Sequence, residues 1–136
     1  MRESITFFRR HSYAERHGIE VPIELKVGGS RAVRLYANVD TGASFCIFQR
    51  EYGEQLGLTI EDGEPMRVRT ADGGAIDVFG HGVTMTFLGW DIDSLVYFAK
   101  EFSFVKNVVG QRGWLDQFKL GLIHYDSLLF LSRYDD

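Results

Sequence analysis

The sequence has 136 residues, of which 45% are hydrophobic and 14% are aromatic, and its formal net charge is −4. This length predicts one domain with a hydrophobic core of its own. No segment is densely basic, which argues against nucleic acid as a partner, and no apolar run approaches the roughly 20 residues of a membrane-spanning helix, which argues against a membrane partner.

The cysteine and histidine content excludes several kinds of site. Cys46 is the single cysteine, so an intramolecular disulfide and cysteine-based zinc sites are excluded, and we expect Cys46 to be a buried small hydrophobe. The single cysteine fits a reducing compartment, and the apolar stretch at the N-terminus is too short for a signal peptide, so we expect a cytoplasmic protein. No metal-like spacing relates the four histidines, and neither a metal nor another cofactor is expected. They are His11, His17, His81 and His124.

We divide the chain into an N-terminal segment of uncertain structure, residues 1–20, and a compact domain, residues 21–136. The N-terminal segment leaves two interpretations open. Residues 5–8 have the composition of a strand, and the spacing of Ser12 and Glu15 is that of a helix capping box.

The domain begins with a predicted hairpin. Apolar and polar residues alternate over residues 21–27 and again over 33–39, which is typical of half-buried strands, and Gly28-Gly29-Ser30 lies between them. Asp40 falls on the polar phase at the end of the second strand. The hairpin therefore presents this carboxylate where the strand ends.

The rest of the domain also reads mainly as β-structure. A second hairpin is expected around the turn 71–74, and Asp91-Ile92-Asp93 is interpreted as a solvated turn rather than a cation site. Two short helices, 49–56 and 113–118, complete an all-β domain with a closed or sandwiched architecture. The other predicted strands are 45–48, 66–70, 76–78, 83–87, 92–98, 108–109 and 128–131.

The segment Asp40-Thr41-Gly42-Ala43-Ser44 is the most informative part of the sequence. An aspartate followed by small residues at a strand end is held in a tight turn, where backbone amides and the hydroxyls of Thr41 and Ser44 can donate to the carboxylate. Flanking strands make such a turn rigid, as a catalytic group requires. The same residue types are common turn formers, so the segment alone leaves a structural turn as an alternative.

The order of four features resembles the retropepsin-like aspartic proteases. These are the segment Asn38–Ser44 between two apolar strands, a glycine-bearing hairpin tip at Ala71–Gly74, the segment Val108–Leu115 with two apolar residues and a glycine before a helix, and a last strand. The resemblance covers roughly residues 20 to 131. It implies a closed acid-protease β-barrel with one or two short helices.

The resemblance also implies an activity and an assembly. The family hydrolyses peptide bonds with a water activated by two aspartates, and this chain holds no second Asp-Thr-Gly or Asp-Ser-Gly. The second carboxylate would therefore come from another copy in a homodimer, which would take a polypeptide as substrate. The catalytic residues implied are Asp40, Thr41, Gly42 and Ser44. The substrate-binding residues implied are Ala71, Asp72, Gly73, Gly74 and Ala75.

The sequence departs from the family in one place that bears on the site. Gln111 separates Gly110 from Arg112, whereas the smallest viral members have an arginine directly after this glycine. Arg112 either braces the dimer or faces solvent. The alternative function is a catalytically weak or inactive dimer of the same fold that serves as a peptide-binding or scaffold module, because a fold alone does not establish activity. A serine hydrolase has little support, since Ser44 has no neighbouring base in the sequence.

Overall fold

The computed structural model describes residues 1–14 and 18–136, so Glu15 of the predicted capping box and His17 lie outside the described residues. Within this part, ten strands and one short α-helix are present, with single 3₁₀ turns at Ile60–Asp62, Leu115–Gln117 and His124–Asp126. The strands are β1 (Arg9–Ser12), β2 (Glu20–Lys26), β3 (Val33–Val39), β4 (Ile47–Phe48), β5 (Glu64–Arg69), β6 (Ala75–Phe87), β7 (Trp90–Ala99), β8 (Val108–Val109), β9 (Phe118–Ile123) and β10 (Leu128–Arg133), and the helix is α1 (Arg50–Gln55).

Seven strands form one sheet in the order β2-β3-β8-β4-β7-β6-β5. β2 also pairs with β6, through residues such as Leu25 opposite Met85, so the hydrogen-bonded pairing returns to the strand where it began. Only β5 stands outside this ring of pairings, as one arm of the hairpin that it makes with β6. The predicted all-β fold with a short helix is confirmed.

The first hairpin forms because apolar and polar residues alternate along both of its strands. Val21, Ile23 and Leu25 of β2 are buried, and the residues between them are half-buried or exposed, as the period-2 pattern predicts. β3 buries Val33 and Leu35 in the same way. Their burial in one core, worth about 1.5–3 kcal/mol for each large side chain, fixes the register that brings Asp40 to the end of β3.

The region 75–99 differs from the prediction in two ways. The predicted strands 76–78 and 83–87 are parts of one strand, β6, because Gly80 pairs with Glu64 of β5 on one side and with Tyr97 of β7 on the other. Residues 91–93 lie inside β7 and not in a turn. The carboxylates of this stretch accept hydrogen bonds from threonine hydroxyls across the strand pair: Thr86 to Asp91 and Thr84 to Asp93.

The remaining three strands form a separate antiparallel sheet in the order β1-β10-β9. Of the two interpretations left open for the N-terminal segment, a strand at residues 5–8 is wrong, since the chain becomes a strand only at β1. Phe7 nevertheless packs on Phe130 of β10. The helix predicted at 113–118 is a single 3₁₀ turn, and β9, which was not predicted, follows it directly. Trp114 and Phe118 both enter the core at the two ends of this turn, and their rings lie 5.4 Å apart. A boundary between residues 20 and 21 stays a prediction.

Candidate active site

The loop after β3 is tied to β8 at its first residue. The backbone N–H of Asp40 donates to the carbonyl of Val109 at 3.0 Å, and the N–H of Ala43 returns to the carbonyl of Asp40 at 3.1 Å. β8 runs parallel to β3 and antiparallel to β4, so it lies between the strand that enters the loop and the strand that leaves it. The loop is thus held on a three-strand platform.

The carboxylate of Asp40 points away from the core and is exposed. The backbone N–H of Gly42 donates to its Oδ1 at 3.0 Å. Within the described part of this single chain, neither the Thr41 nor the Ser44 hydroxyl makes a hydrogen bond to that carboxylate, and both residues are exposed. Their catalytic role stays a prediction.

Residues 111 and 112 bind the carbonyl groups of the Asp40 loop. The N–H of Gln111 donates to Ala43 O at 2.8 Å, and the N–H of Arg112 donates to Ser44 O at 3.0 Å. The side-chain amide of Gln111 adds a bond from Nε2 to Thr41 O, also at 2.8 Å. The segment that follows β8 therefore fixes the backbone conformation of the Asp40 loop.

Gly110 lies where the two segments come closest. A Cβ placed on it would be 2.5 Å from the carbonyl oxygens of both Ala43 and Phe45, a distance that real Cβ atoms do not show. Only glycine allows the backbone after β8 to approach the Asp40 loop this closely. The sequence indicated this position through the glycine after Val108-Val109. It did not indicate that this glycine approaches the Asp40 loop.

Arg112 and Cys46 take definite positions beside the loop. The Arg112 guanidinium lies over the ring of Phe45, with 5.3 Å from its carbon to the ring centroid, while the residue stays exposed. Cys46 is fully buried, as expected, and burial raises the pKa of its thiol to about 11. Because the thiolate is the nucleophilic form, Cys46 is unreactive at neutral pH.

The tip of the β5–β6 hairpin, residues 70–74, is a tight turn closed by its own side chains. The N–H of Thr70 donates to Gly74 O at 2.9 Å, and Asp72 Oδ1 accepts from the N–H of Gly74 at 3.0 Å and from the Thr70 hydroxyl. The hydrogen bond from the Thr70 hydroxyl, and to a smaller extent the one from the Gly74 amide, holds the pKa of the Asp72 carboxyl below its usual value. Gly73 has a φ of +88°, which other residues adopt only with strain.

A small apolar cluster connects this hairpin with the Asp40 loop. It is separate from the main core and centres on the buried side chains of Ile47, Val78 and Tyr97. Half-buried side chains from the hairpin, from the end of the loop and from the segment that leads into β8 pack against it. They are Met66, Val68 and Ile76 from the hairpin, and Phe45, Phe104 and Val108 from the loop side.

The described residues hold neither a metal-binding cluster nor a membrane-spanning helix. Among residues 1–14 and 18–136, no group of three histidine, cysteine, aspartate or glutamate side chains is arranged to hold a metal ion. In the same part of the chain, no helix has the length and apolar character needed to cross a membrane.

Solved structures of other proteins share the fold of this chain. The chain superimposes on a retropepsin-like aspartic protease from Rickettsia conorii with a TM-score of 0.65 and 17% identity, over 93% of this chain and 99% of that one. It superimposes on EIAV protease complexed with the inhibitor HBY-793 with a TM-score of 0.55 and 16% identity, over 74% of this chain and 88% of that one. The fold is therefore that of the retropepsin-like aspartic proteases.

Sequence comparison identifies the family. The model of a family described as aspartyl protease matches residues 23–101, more than half of the chain, and this range includes both the Asp40 loop and the β5–β6 hairpin. The chain belongs to the aspartyl protease family. None of the curated protein sequences compared with it matches.

Proposed function

We propose that the protein is an aspartic endopeptidase that works as a homodimer, with one Asp40 from each copy. The observation that carries the proposal is the exposed carboxylate of Asp40 on a loop whose backbone is bonded to β8 and to residues 111 and 112. These bonds fix the loop and leave the carboxylate uncovered. The sequence contains one such motif, so a second carboxylate comes from a second chain.

The chemistry follows from two carboxylates that share one proton, which is the established arrangement in aspartic proteases. The ionised carboxylate takes a proton from a bound water as the water oxygen attacks the peptide carbonyl carbon. The protonated carboxyl donates to the carbonyl oxygen. The nitrogen of the scissile bond then takes the proton that the first carboxylate removed from water. As the C–N bond breaks, one hydroxyl of the tetrahedral diol returns a proton to the other carboxylate, and the products are a free acid and a free amine.

The substrate we propose is an extended polypeptide held between the Asp40 loops and residues 71–75 of the β5–β6 hairpin. A hairpin that extends beyond the ring of strands offers backbone groups to a peptide strand. The solved EIAV protease holds an inhibitor, which supports a binding cleft in a protein of this fold. The direct test is whether the purified protein cleaves unfolded polypeptides and whether this cleavage needs Asp40.

A free strand edge is a surface through which two copies can pair, and the three-stranded sheet offers two. β10 is paired on both sides, so β1 and β9 are its edges. β1 carries Arg9 and Arg10, which would face like charges across a two-fold axis. β9 ends with Leu122 and Ile123, 46% and 45% exposed, and we assign the contact to this edge.

Charges placed on the β9 edge are expected to dissociate the dimer. In the double variant Leu122→Lys and Ile123→Lys, four new cations meet across the axis and an apolar contact is lost, so the dissociation constant rises about a hundredfold or more. Sedimentation velocity measures this shift directly. Peptide cleavage falls with it and recovers at high protein concentration.

The matched control places two lysines on exposed apolar residues elsewhere, Phe102→Lys and Val105→Lys. This control keeps the wild-type dissociation constant. A β9 variant that dimerises as tightly as the wild type would rule out this edge.

The hairpin tip is expected to control turnover. Gly73→Val forces a β-branched residue into a positive φ, in a turn whose opening admits the substrate. We expect kcat/KM to fall about tenfold, which a continuous peptide assay measures. The control is Gly28→Val, which also places valine at a positive φ, in another hairpin with open space around it, and we expect it to lower stability without affecting cleavage. Equal activities of the two variants would contradict the assignment of this hairpin.

A further inference from the structure

One peptide group connects the side chain of Gln111 with the carboxylate of Asp40. The group lies between Thr41 and Gly42. Its N–H donates to Asp40 Oδ1 at 3.0 Å, and its C=O accepts from Gln111 Nε2 at 2.8 Å. Because a peptide group is planar and its N–H and C=O point in opposite directions, fixing one of them fixes the other.

We propose that Gln111 is a positioning residue for Asp40 and acts through this peptide. The bond from Gln111 stops the Thr41–Gly42 peptide from rotating, so the Gly42 N–H stays directed at the carboxylate. It also polarises the peptide, which strengthens the donor on the opposite side. The catalytic consequences of this role rest on the proposed function, whereas the hydrogen-bond geometry does not.

Two backbone hydrogen bonds of Gln111 fix the position from which its side chain reaches Thr41. Its N–H donates to Ala43 O at 2.8 Å, and its C=O accepts from the N–H of Asp116 at 3.0 Å. The residue is exposed, so the side chain contributes little to the core. Water could satisfy the Thr41 carbonyl equally well, but a mobile water would not fix the direction of the peptide.

The chemical type of residue 111 is restricted by this contact. A carbonyl oxygen requires a donor, and the amide of glutamine supplies one without adding charge. Glutamate presents only acceptors when ionised and would repel the Thr41 carbonyl. Lysine keeps a donor and adds a positive charge. A single substitution at residue 111 can therefore either remove or keep the hydrogen-bond donor.

The test compares Gln111→Met, which removes the donor at similar length, with Gln111→Lys, which keeps one. In Gln111→Met we expect kcat to fall about tenfold with KM changed less than about twofold, as for the loss of one hydrogen bond that orients a catalytic group. The amide proton of Gly42 moves upfield in NMR spectra, because its hydrogen bond to the carboxylate weakens. Gln111→Lys restores the Gly42 resonance and most of kcat.

Gln117→Met is the matched control, since this glutamine donates to Asp116 Oδ1 and has no contact with Thr41. It leaves both kcat and the Gly42 resonance at their wild-type values. An unchanged Gly42 resonance in folded Gln111→Met overturns the positioning role. If the wild-type protein cleaves no peptide, the proposed function fails, and the Gly42 resonance alone then decides whether Gln111 positions Asp40.

Discussion

Asp40→Asn is expected to abolish peptide hydrolysis and to leave the protein folded and in the oligomeric state of the wild type. The amide has nearly the size of the carboxylate, and its oxygen still accepts the hydrogen bond that Gly42 N–H gives to Oδ1. It cannot take a proton from water or pass one to the substrate. General acid–base catalysis is worth about 10²–10⁴ in rate, so we expect a loss of at least about a hundredfold when both copies carry the change.

The measurement is cleavage of a fluorogenic peptide library, with sedimentation velocity and thermal unfolding on the same samples. We expect the dimer to be at least as tight as the wild type at neutral pH, because like charges no longer meet at the two-fold axis. The control is Asp62→Asn, at an exposed aspartate in the 3₁₀ turn after α1, and it keeps full activity. A folded Asp40→Asn dimer that cleaves as fast as the wild type would refute the proposed function and favour a binding or scaffold role.

Gly110→Ala has the largest expected effect on stability. The added methyl group lies 2.5 Å from two backbone oxygens, on Ala43 and Phe45, and neither can rotate away as a side chain does. Either β8 or the Asp40 loop has to shift. We expect a loss of about 2–3 kcal/mol in the free energy of unfolding, which lowers Tm by about 10 °C, and at least a tenfold loss of cleavage.

Gly29→Ala is the control for this change, because a Cβ at Gly29 meets no atom within 4 Å. It leaves Tm within about 2 °C of the wild type and cleavage unchanged, as surface substitutions usually do. Calorimetry on the two variants gives the comparison. A Gly110→Ala protein that is as stable as Gly29→Ala would mean that the loop and β8 do not meet as closely as described.

The local pattern predicted those parts of the fold in which neighbouring segments pair. The hairpin of β2 and β3 follows from alternation over seven residues on each side of a glycine turn, and α1 from a short segment closed by a glycine. β9 was missed although Phe118, Leu120 and Leu122 alternate with other residues. The spacing of Leu115 and Phe118 also suits a helix, and only pairing with β10 decides between the two.

The sequence predicted the candidate site in part, as it did the fold. The carboxylate at a strand end and the small residues after it are visible in the sequence, and the Gly42 amide bond agrees with the predicted turn. The contact from Gln111 to Thr41 joins residues 70 positions apart, and no periodicity in the chain carries that information. It depends on where β8 inserts, which is a property of the whole sheet.

The insertion of β8 between β3 and β4 also sets when the Asp40 loop can assemble during synthesis. The ribosome makes the Asp40 loop long before residues 108–112, whose backbone groups supply the bonds to Asp40, Ala43 and Ser44. A nascent chain that stops short of β8 has the motif but no support for it. Because such long-range contacts form late, the Asp40 loop of a growing chain stays unassembled while that chain lies beside other unfolded polypeptides.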